Sequence, residues 1–176
     1  MEKALFLSQT GRKGPVWIDI PLDVQNKRID SKQLVHFVQK KPQKLSTNHE
    51  DIDYVLNILK NSKRPAVLIG SGVRSSGAIK ELETFIKKSL IPIVYSNSAP
   101  DTFGLDNTLS IGSVGIMGCS RAGNFTVQNS DVILVLGCRL STMITGEDSE
   151  KFAREAKVIV VDIDPIEHSK NNIKID

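Results

Sequence analysis

The chain changes its hydrophobic pattern a little over a third of the way along. From Ala66 onward, short continuous apolar runs recur, AVLIG at 66–70, IPIVYS at 91–96, DVILVLG at 131–137 and KVIVVDID at 157–164. Such runs belong to strands buried on both faces of a parallel sheet. Around them the period lengthens to that of a helix. Ile52, Val55, Leu56 and Leu59 fall at i, i+3, i+4 and i+7, and Ala78, Ile79, Leu82, Phe85 and Ile86 share a face with Glu83 and Lys87 paired outside. Thr47 and Glu50 have the spacing of a capping box, so the first of these helices is expected to begin there. Residues 119–129 predict a short helix, and the glycine-punctuated stretch from Ser98 to Gly118 has room for one short strand. Strands alternating with helices through short connections predict an α/β domain with a parallel sheet.

The first part reads differently. Ala4, Leu5 and Leu7 suit one or two helical turns ended at Gly11, and Val16, Ile18 and Ile20 alternate with Trp17 and Asp19 in a two-residue period that predicts a strand stopped by Pro21. That strand has no sheet of its own nearby. Leu22 to Ser46 is polar, charged and weakly periodic, which predicts a linker crossing a surface.

Composition narrows the classes. Hydrophobic residues at 40% and charged residues at 24% suit a globular domain, and aromatics at 5% offer no stacking platform for nucleic acid. The net charge of +3 is uneven: residues 1–65 hold 12 Lys/Arg against 7 Asp/Glu (+5), and residues 66–176 hold 11 against 13 (−2). The basic residues of the first part are scattered without a block, so they predict a solvated linker and no nucleic-acid partner. Cys119 and Cys138 are too far apart for a C-x-x-C motif, and His36, His49 and His168 do not join them at metal-ligand spacing. No apolar run approaches the ~20 residues of a membrane span, and MEKALFLSQT is too short for a secretory signal. The expectation is a cytoplasmic protein with reduced thiols and no membrane partner.

In an open parallel sheet, ligands gather beyond the carboxyl ends of the strands. Gly70-Ser71-Gly72, Asn97-Ser98, Gly137-Cys138-Arg139 and Asp162-Ile163-Asp164 occupy those positions. Gly70 and Gly72 would allow close backbone approach to a phosphate, with a helix starting near Ser75, although G-x-G after a strand is often only a tight turn. Asp162 suits a ribose or a cap on the turn before Pro165. Arg139 suits a phosphate or carboxylate clamp, or a surface ion pair. Gly112, Gly115 and Gly118 predict a flexible loop along which an extended ligand lies, or a plain glycine-rich connection.

Five ordered segments, GRKGPVWIDIPLDV, RPAVLIGSGV, IGSVGIMG, DVILVLGCRLSTMITG and KVIVVDIDPIEHSKN, resemble the central region of thiamine-diphosphate-dependent enzymes, and within them the large catalytic subunit of acetolactate synthase. The resemblance covers nearly the whole chain. It implies a three-layer, Rossmann-like (DHS-like) domain with a six-stranded parallel sheet flanked by helices. It further implies that residues 1–24 are the C-terminal stub of a pyrimidine-binding domain, 25–46 a linker, and 47–176 the central nucleotide-binding-like domain.

By the same resemblance, Gly70, Ser71 and Gly72 match a dinucleotide-contacting turn and Asn97 a loop contact. Gly115, Ile116, Met117 and Gly118 match the G-M-H-G loop along a flavin, Gly137 and Arg139 a G-x-R contact, and Asp162 and Ile163 the pair at the adenosine end. By the resemblance the central groove holds FAD, holds ADP, or is empty. The chain departs from the family at Ser141, where an acidic residue is usual, at Met143, where an arginine is usual, and at Met117, in place of histidine. Charge-assisted hydrogen bonds contribute roughly 1.5–3 kcal/mol each, so FAD is expected to bind weakly or not at all.

The family's thiamine-activating glutamate is expected on a preceding segment. Its G-D-G motif for Mg²⁺ and the diphosphate does not occur here. The chain is therefore expected to be non-catalytic alone, and to brace the other domains of a 2-oxoacid decarboxylase or carboligase that condenses two pyruvates with loss of CO₂. Thiamine diphosphate and Mg²⁺ would be held by the full-length protein, as a homodimer or homotetramer. The alternative is a stand-alone Rossmann-like module for NAD or a flavin; against a deacetylase-type NAD module stands the lack of C-x-x-C zinc pairs.

Overall fold

The computed structural model describes residues 1–39, 47–169 and 173–176. The chain divides into two compact units, Met1–Ser46 and Thr47–Asp176.

The first unit holds helix α1 (Glu2–Gln9), helix α2 (Leu22–Gln25) and a 3-10 turn at Ser31–Gln33. The Glu2 carboxylate accepts from the Phe37 backbone N–H at 2.8 Å and pairs with His36 at 2.9 Å, while the rings of Phe6 and Phe37 stand 5.4 Å apart. The hydrogen bond from His36, then that from Phe37, holds the Glu2 carboxyl below its usual range. Residues 16–20 form no strand, which corrects the expectation from their alternation. With no neighbouring strand among the described residues of this unit, the alternation has no ladder to join, and Trp17 stays 91% exposed. The last part of the expected linker, residues 40–46, lies outside the described residues.

The second unit begins with α3 (His49–Asn61), whose cap is Asn48 and not Thr47. The Asn48 Oδ1 accepts from the Glu50 N–H at 3.2 Å, because an Asx side chain reaches the residue two positions on as readily as a threonine reaches three. Then follow β1 (Pro65–Ile69), α4 (Ser71–Ser75), α5 (Ile79–Ser89), β2 (Ile93–Ser96), β3 (Ser110–Val114), α6 (Arg121–Asn129), β4 (Val132–Leu136), α7 (Thr142–Thr145), a 3-10 turn at Ser149–Lys151, β5 (Lys157–Val161) and α8 (Pro165–His168). The five strands form one parallel sheet in the order β3-β2-β1-β4-β5.

Alternate strand residues supply two cores, giving three layers. Leu68, Val94, Ile133, Val135 and Val158 pack with Val127 of α6, Ile144 of α7 and Phe152. Val67, Ile69, Ile93, Leu134 and Ile159 pack with Leu59 of α3, Val73 of α4, and Leu82 and Ile86 of α5. Each such aliphatic side chain contributes roughly 1.5–3 kcal/mol by leaving water, which accounts for the apolar runs in the sequence. At the amino edge, Asp131 ties α3 to β4: its carboxylate accepts from the Ser62 hydroxyl, from Lys63 N–H at 2.8 Å and from Arg64 N–H at 3.0 Å.

The sheet has five strands among the described residues, where six were expected. Beyond β5 the backbone turns into α8, and Asp176 meets β5 by one backbone bond, Asp176 N–H to Val158 O at 2.9 Å, backed by Val158 N–H to its carboxylate at 3.2 Å. One residue alongside is too little for a ladder. Among the described residues, no helix is long and apolar enough to cross a membrane.

Candidate functional site

Because the sheet is wholly parallel, all five carboxyl ends share one rim, and the expected site residues stand along it. β2 and β3 lie to one side of β1, and β4 and β5 to the other. The chain reverses its direction of travel between β1 and β4, which is where such folds open a crevice.

At that switch point two glycine turns pack backbone on backbone. Gly70 N–H donates to Leu136 O and Gly72 N–H to Gly137 O, both at 3.0 Å, and Gly137 N–H donates to Val161 O at 2.9 Å. A Cβ on Gly72 would stand 2.7 Å from Gly137 Cα, and one on Gly70 would stand 2.6 Å from Cys138 Cα. Gly137 also has φ +54°. The three glycines are therefore required by contact between the β1 and β4 loops. A helix does follow the turn, but it starts at Ser71 and not near Ser75; Ser71 itself is exposed and its carbonyl accepts from the Ser75 hydroxyl at 3.1 Å.

The loop after β3 is strapped at each residue. Ile116 N–H donates to Met143 O at 3.0 Å, the Asn97 amide donates to Met117 O, and the Ser113 hydroxyl donates to Gly118 O at 2.8 Å. Gly115 bonds through both its backbone groups to Asn124 of α6. The three glycines read as one flexible loop thus separate. Gly112 lies inside β3 with φ +144°, near a register shift against β2, while Gly115 and Gly118 anchor a fixed loop whose Ile116 and Met117 side chains are exposed. A cleft of about 290 Å³ opens beside Gly115 and Ile116, walled by Val127, Ile144, Thr145 and Gly146.

Across the switch point, Arg139 Nε pairs with Glu167 Oε1 of α8 at 3.1 Å; the arginine side chain is 66% exposed and the carboxylate side chain 4%. Sequence reasoning did not select Glu167. Asp162 accepts from Asp164 N–H at 3.0 Å, and Asp164 in turn caps α8 through Ile166 N–H at 3.0 Å. Asp162 thus braces the turn before Pro165, and Ile163 stands exposed beside it. Arg74 of α4 spans to the loop after β2, meeting Asp101 at 2.5 Å and Ser98 O at 3.3 Å. Among the described residues no group of three or more His, Cys, Asp or Glu side chains is placed to hold a metal ion.

Residues 52–176 match the family described as thiamine pyrophosphate enzyme, central domain. The chain is 38% identical over 174 residues to a probable acetolactate synthase large subunit of Methanocaldococcus jannaschii, covering 96% of this chain and 29% of that protein. Its counterpart from Methanococcus aeolicus is 36% identical over 174 residues, covering 96% and 28%, and acetolactate synthase 1, chloroplastic, of Zea mays is 34% identical over 176 residues, covering 97% and 27%. The chain thus spans under a third of the length of these relatives. Nothing in the comparisons favours a stand-alone NAD or flavin module.

Proposed function

Because the chain belongs to the thiamine pyrophosphate enzymes, as their central domain, we propose that it serves as the non-catalytic brace of a larger acetolactate-synthase-like carboligase. In that protein thiamine diphosphate, held with Mg²⁺ by other domains, supplies the carbanion chemistry by which pyruvate loses CO₂ and adds to a second pyruvate. The contribution of this chain is shape. The observation that carries the reading is the similarity over 96–97% of the chain to proteins named acetolactate synthase, taken with the central-domain match.

The residues present do not fit thiamine diphosphate and Mg²⁺: no acidic cluster is available among those described. They also do not fit the pyrophosphate of FAD at the Gly70–Gly72 turn. What supports this is that the N–H groups of both glycines are already bonded to Leu136 O and Gly137 O. Ser141 and Met143, on and beside α7, bring no charge to the rim. Gly70, Ser71, Gly72, Asn97, Gly115–Gly118, Gly137, Arg139, Asp162 and Ile163 are proposed as the wall that faces a ligand or a neighbouring domain; the same bonded N–H groups stand against the diphosphate of ADP at that turn.

Within the longer protein, residues 1–24 would complete the preceding pyrimidine-binding domain, residues 25–46 would connect it, and homodimers or homotetramers in the cytoplasm would assemble the active site. The test is calorimetry on the 176-residue chain. Thiamine diphosphate with Mg²⁺ is expected to give no binding heat, and FAD no submicromolar affinity. Stoichiometric thiamine diphosphate binding would overturn the assignment of the chemistry to other domains, and tight FAD binding would overturn the fit argument alone.

A further inference from the structure

We propose that Asn124 is a positioning residue: its side-chain amide stands in for a missing strand partner of Gly115 and thereby fixes the Gly115–Gly118 loop at the rim. The proposal rests on the reading of the rim as the ligand- or domain-facing wall.

β3 is an edge strand, and its pairing with β2 ends at Ser96 opposite Val114. Gly115 comes next, beyond the ladder, with φ +137° and buried backbone. A buried N–H or C=O without a partner costs about as much as a lost hydrogen bond, so both groups of Gly115 need one. Asn124 supplies the two together. Its Oδ1 accepts from Gly115 N–H at 3.0 Å and its Nδ2 donates to Gly115 O at 3.0 Å. That reciprocal exchange is what a hydrogen-bonded residue pair makes between antiparallel strands.

Asparagine suits the task by chemistry and by length. Aspartate of the same shape cannot donate to the carbonyl when ionised, and glutamine places the amide a methylene too far out. The reach is set by how tightly α6 lies on β3. The Ser120 hydroxyl caps α6 by accepting from Gly123 N–H at 2.8 Å, while donating to Ser113 O at 3.2 Å. A Cβ on Gly123 would lie 2.9 Å from Ser113 C, and one on Gly112 would lie 2.8 Å from Ser120 Cβ. Glycine at both points lets helix and strand close up until a four-atom side chain spans the gap.

Packing does not do this work. Ile116 is 53% exposed and Met117 63%, and the 290 Å³ cleft opens beside Gly115 and Ile116. The loop is held by hydrogen bonds, and among those described only Asn124 grips both polar groups of one residue.

The experiment is amide hydrogen exchange on the 176-residue chain, unsubstituted and as Asn124→Asp, with Val127→Ala as a control that removes core packing from the same helix. Asn124→Asp is expected to speed exchange at residues 115–118 at least tenfold while β1 and β4 keep their protection. Asn124→Gln should recover part of that loss. In the unsubstituted chain the Asn124 side-chain NH₂ should show a slowly exchanging, hydrogen-bonded proton by NMR. Unchanged exchange at 115–118, or an equal rise there in Val127→Ala, would overturn the proposal. Should the charged variant not fold, Asn124→Ala gives the same local reading. Titration of the unsubstituted chain with ADP reports separately: no binding counts against the nucleotide reading of the rim, while exchange still decides the role of Asn124.

Discussion

Gly72→Ala sets two rules against each other. Gly72 lies in helix α4, where alanine is favoured over glycine by about 1 kcal/mol, so local propensity alone predicts a more stable protein. The tertiary contact predicts the reverse. The new methyl would stand 2.7 Å from both Gly137 Cα and Gly137 O, where carbon atoms normally rest about 3.5–4.0 Å apart. The obstacle is backbone, so it cannot swing aside; the β4 loop would have to retreat by roughly 1 Å, stretching the 3.0 Å bond from Gly72 N–H to Gly137 O. Overpacking costs about 1–3 kcal/mol and a weakened hydrogen bond about 1 more, so the net after the propensity gain is a loss of about 1–3 kcal/mol. The melting temperature should fall by on the order of 5 °C. Circular dichroism against temperature and urea measures it, with a lower midpoint at unchanged slope marking a true stability change. Gly14→Ala, whose Cβ meets nothing within 4 Å, is the neutral control. A Gly72→Ala protein as stable as the parent, or more so, would refute the claim that the switch-point glycines are there for loop-on-loop contact.

Asp131→Ala is expected to cost about 2 kcal/mol, since it removes a carboxylate that accepts three hydrogen bonds between α3 and β4. Burial pushes the Asp131 carboxyl up, but the bonds from Ser62, Lys63 and Arg64 outweigh it and hold the group below its usual range. A folded-state pKa below the unfolded one gives stability that is complete above the unfolded value of about 3.9 and is lost as pH falls through the folded value. Urea midpoints measured between pH 3 and pH 6 should therefore converge for Asp131→Asn and the parent at the acid end; a constant gap would refute it. Trp17→Ala should change stability by less than about 0.5 kcal/mol, because the side chain is 91% exposed, and a loss above 1 kcal/mol in thermal melts would contradict that.

The four strands with continuous apolar runs were legible because burial on both faces leaves no polar position for the pattern to hide in. β3, with the sequence Ser-Ile-Gly-Ser-Val, sits on the edge and has no such run; only its place in the 98–118 stretch could be anticipated. Alternation misled at residues 16–20, since a two-residue period records a chain's readiness to pair and not the presence of a partner. The candidate site was legible in position and less so in role. Parallel strands put the loop residues on one rim by topology, but which atoms those residues engage depends on contacts across long sequence separations. The packing of Gly72 on Gly137 and the pairing of Arg139 with Glu167 leave no local spacing to read. Glu167 carried one faint signal, an acidic residue two positions after Pro165 on a helix too short to need it; its burial was not deducible.

These contacts share a logic that explains why the rim can hold its form without a ligand. At the switch point the β1 and β4 loops bond to each other through backbone groups that a phosphate-binding turn would turn outward. Asp162 engages its own turn, and Asn97 engages the Met117 carbonyl. A surface whose polar groups are satisfied internally presents shape and exposed aliphatic side chains, here Ile116, Met117, Met143 and Ile163, more than it presents unmet hydrogen-bonding demand. That is the profile the proposed bracing role calls for. Arg139 differs from the rest: its pairing with a carboxylate that is 4% exposed holds a guanidinium at the surface, beside the crevice. If the rim meets an anion, Arg139 is the residue that recognises it, and Arg139→Ala should abolish any ADP affinity the chain has. Retained affinity in that variant would move the nucleotide away from the switch point and leave the rim as a surface of shape alone.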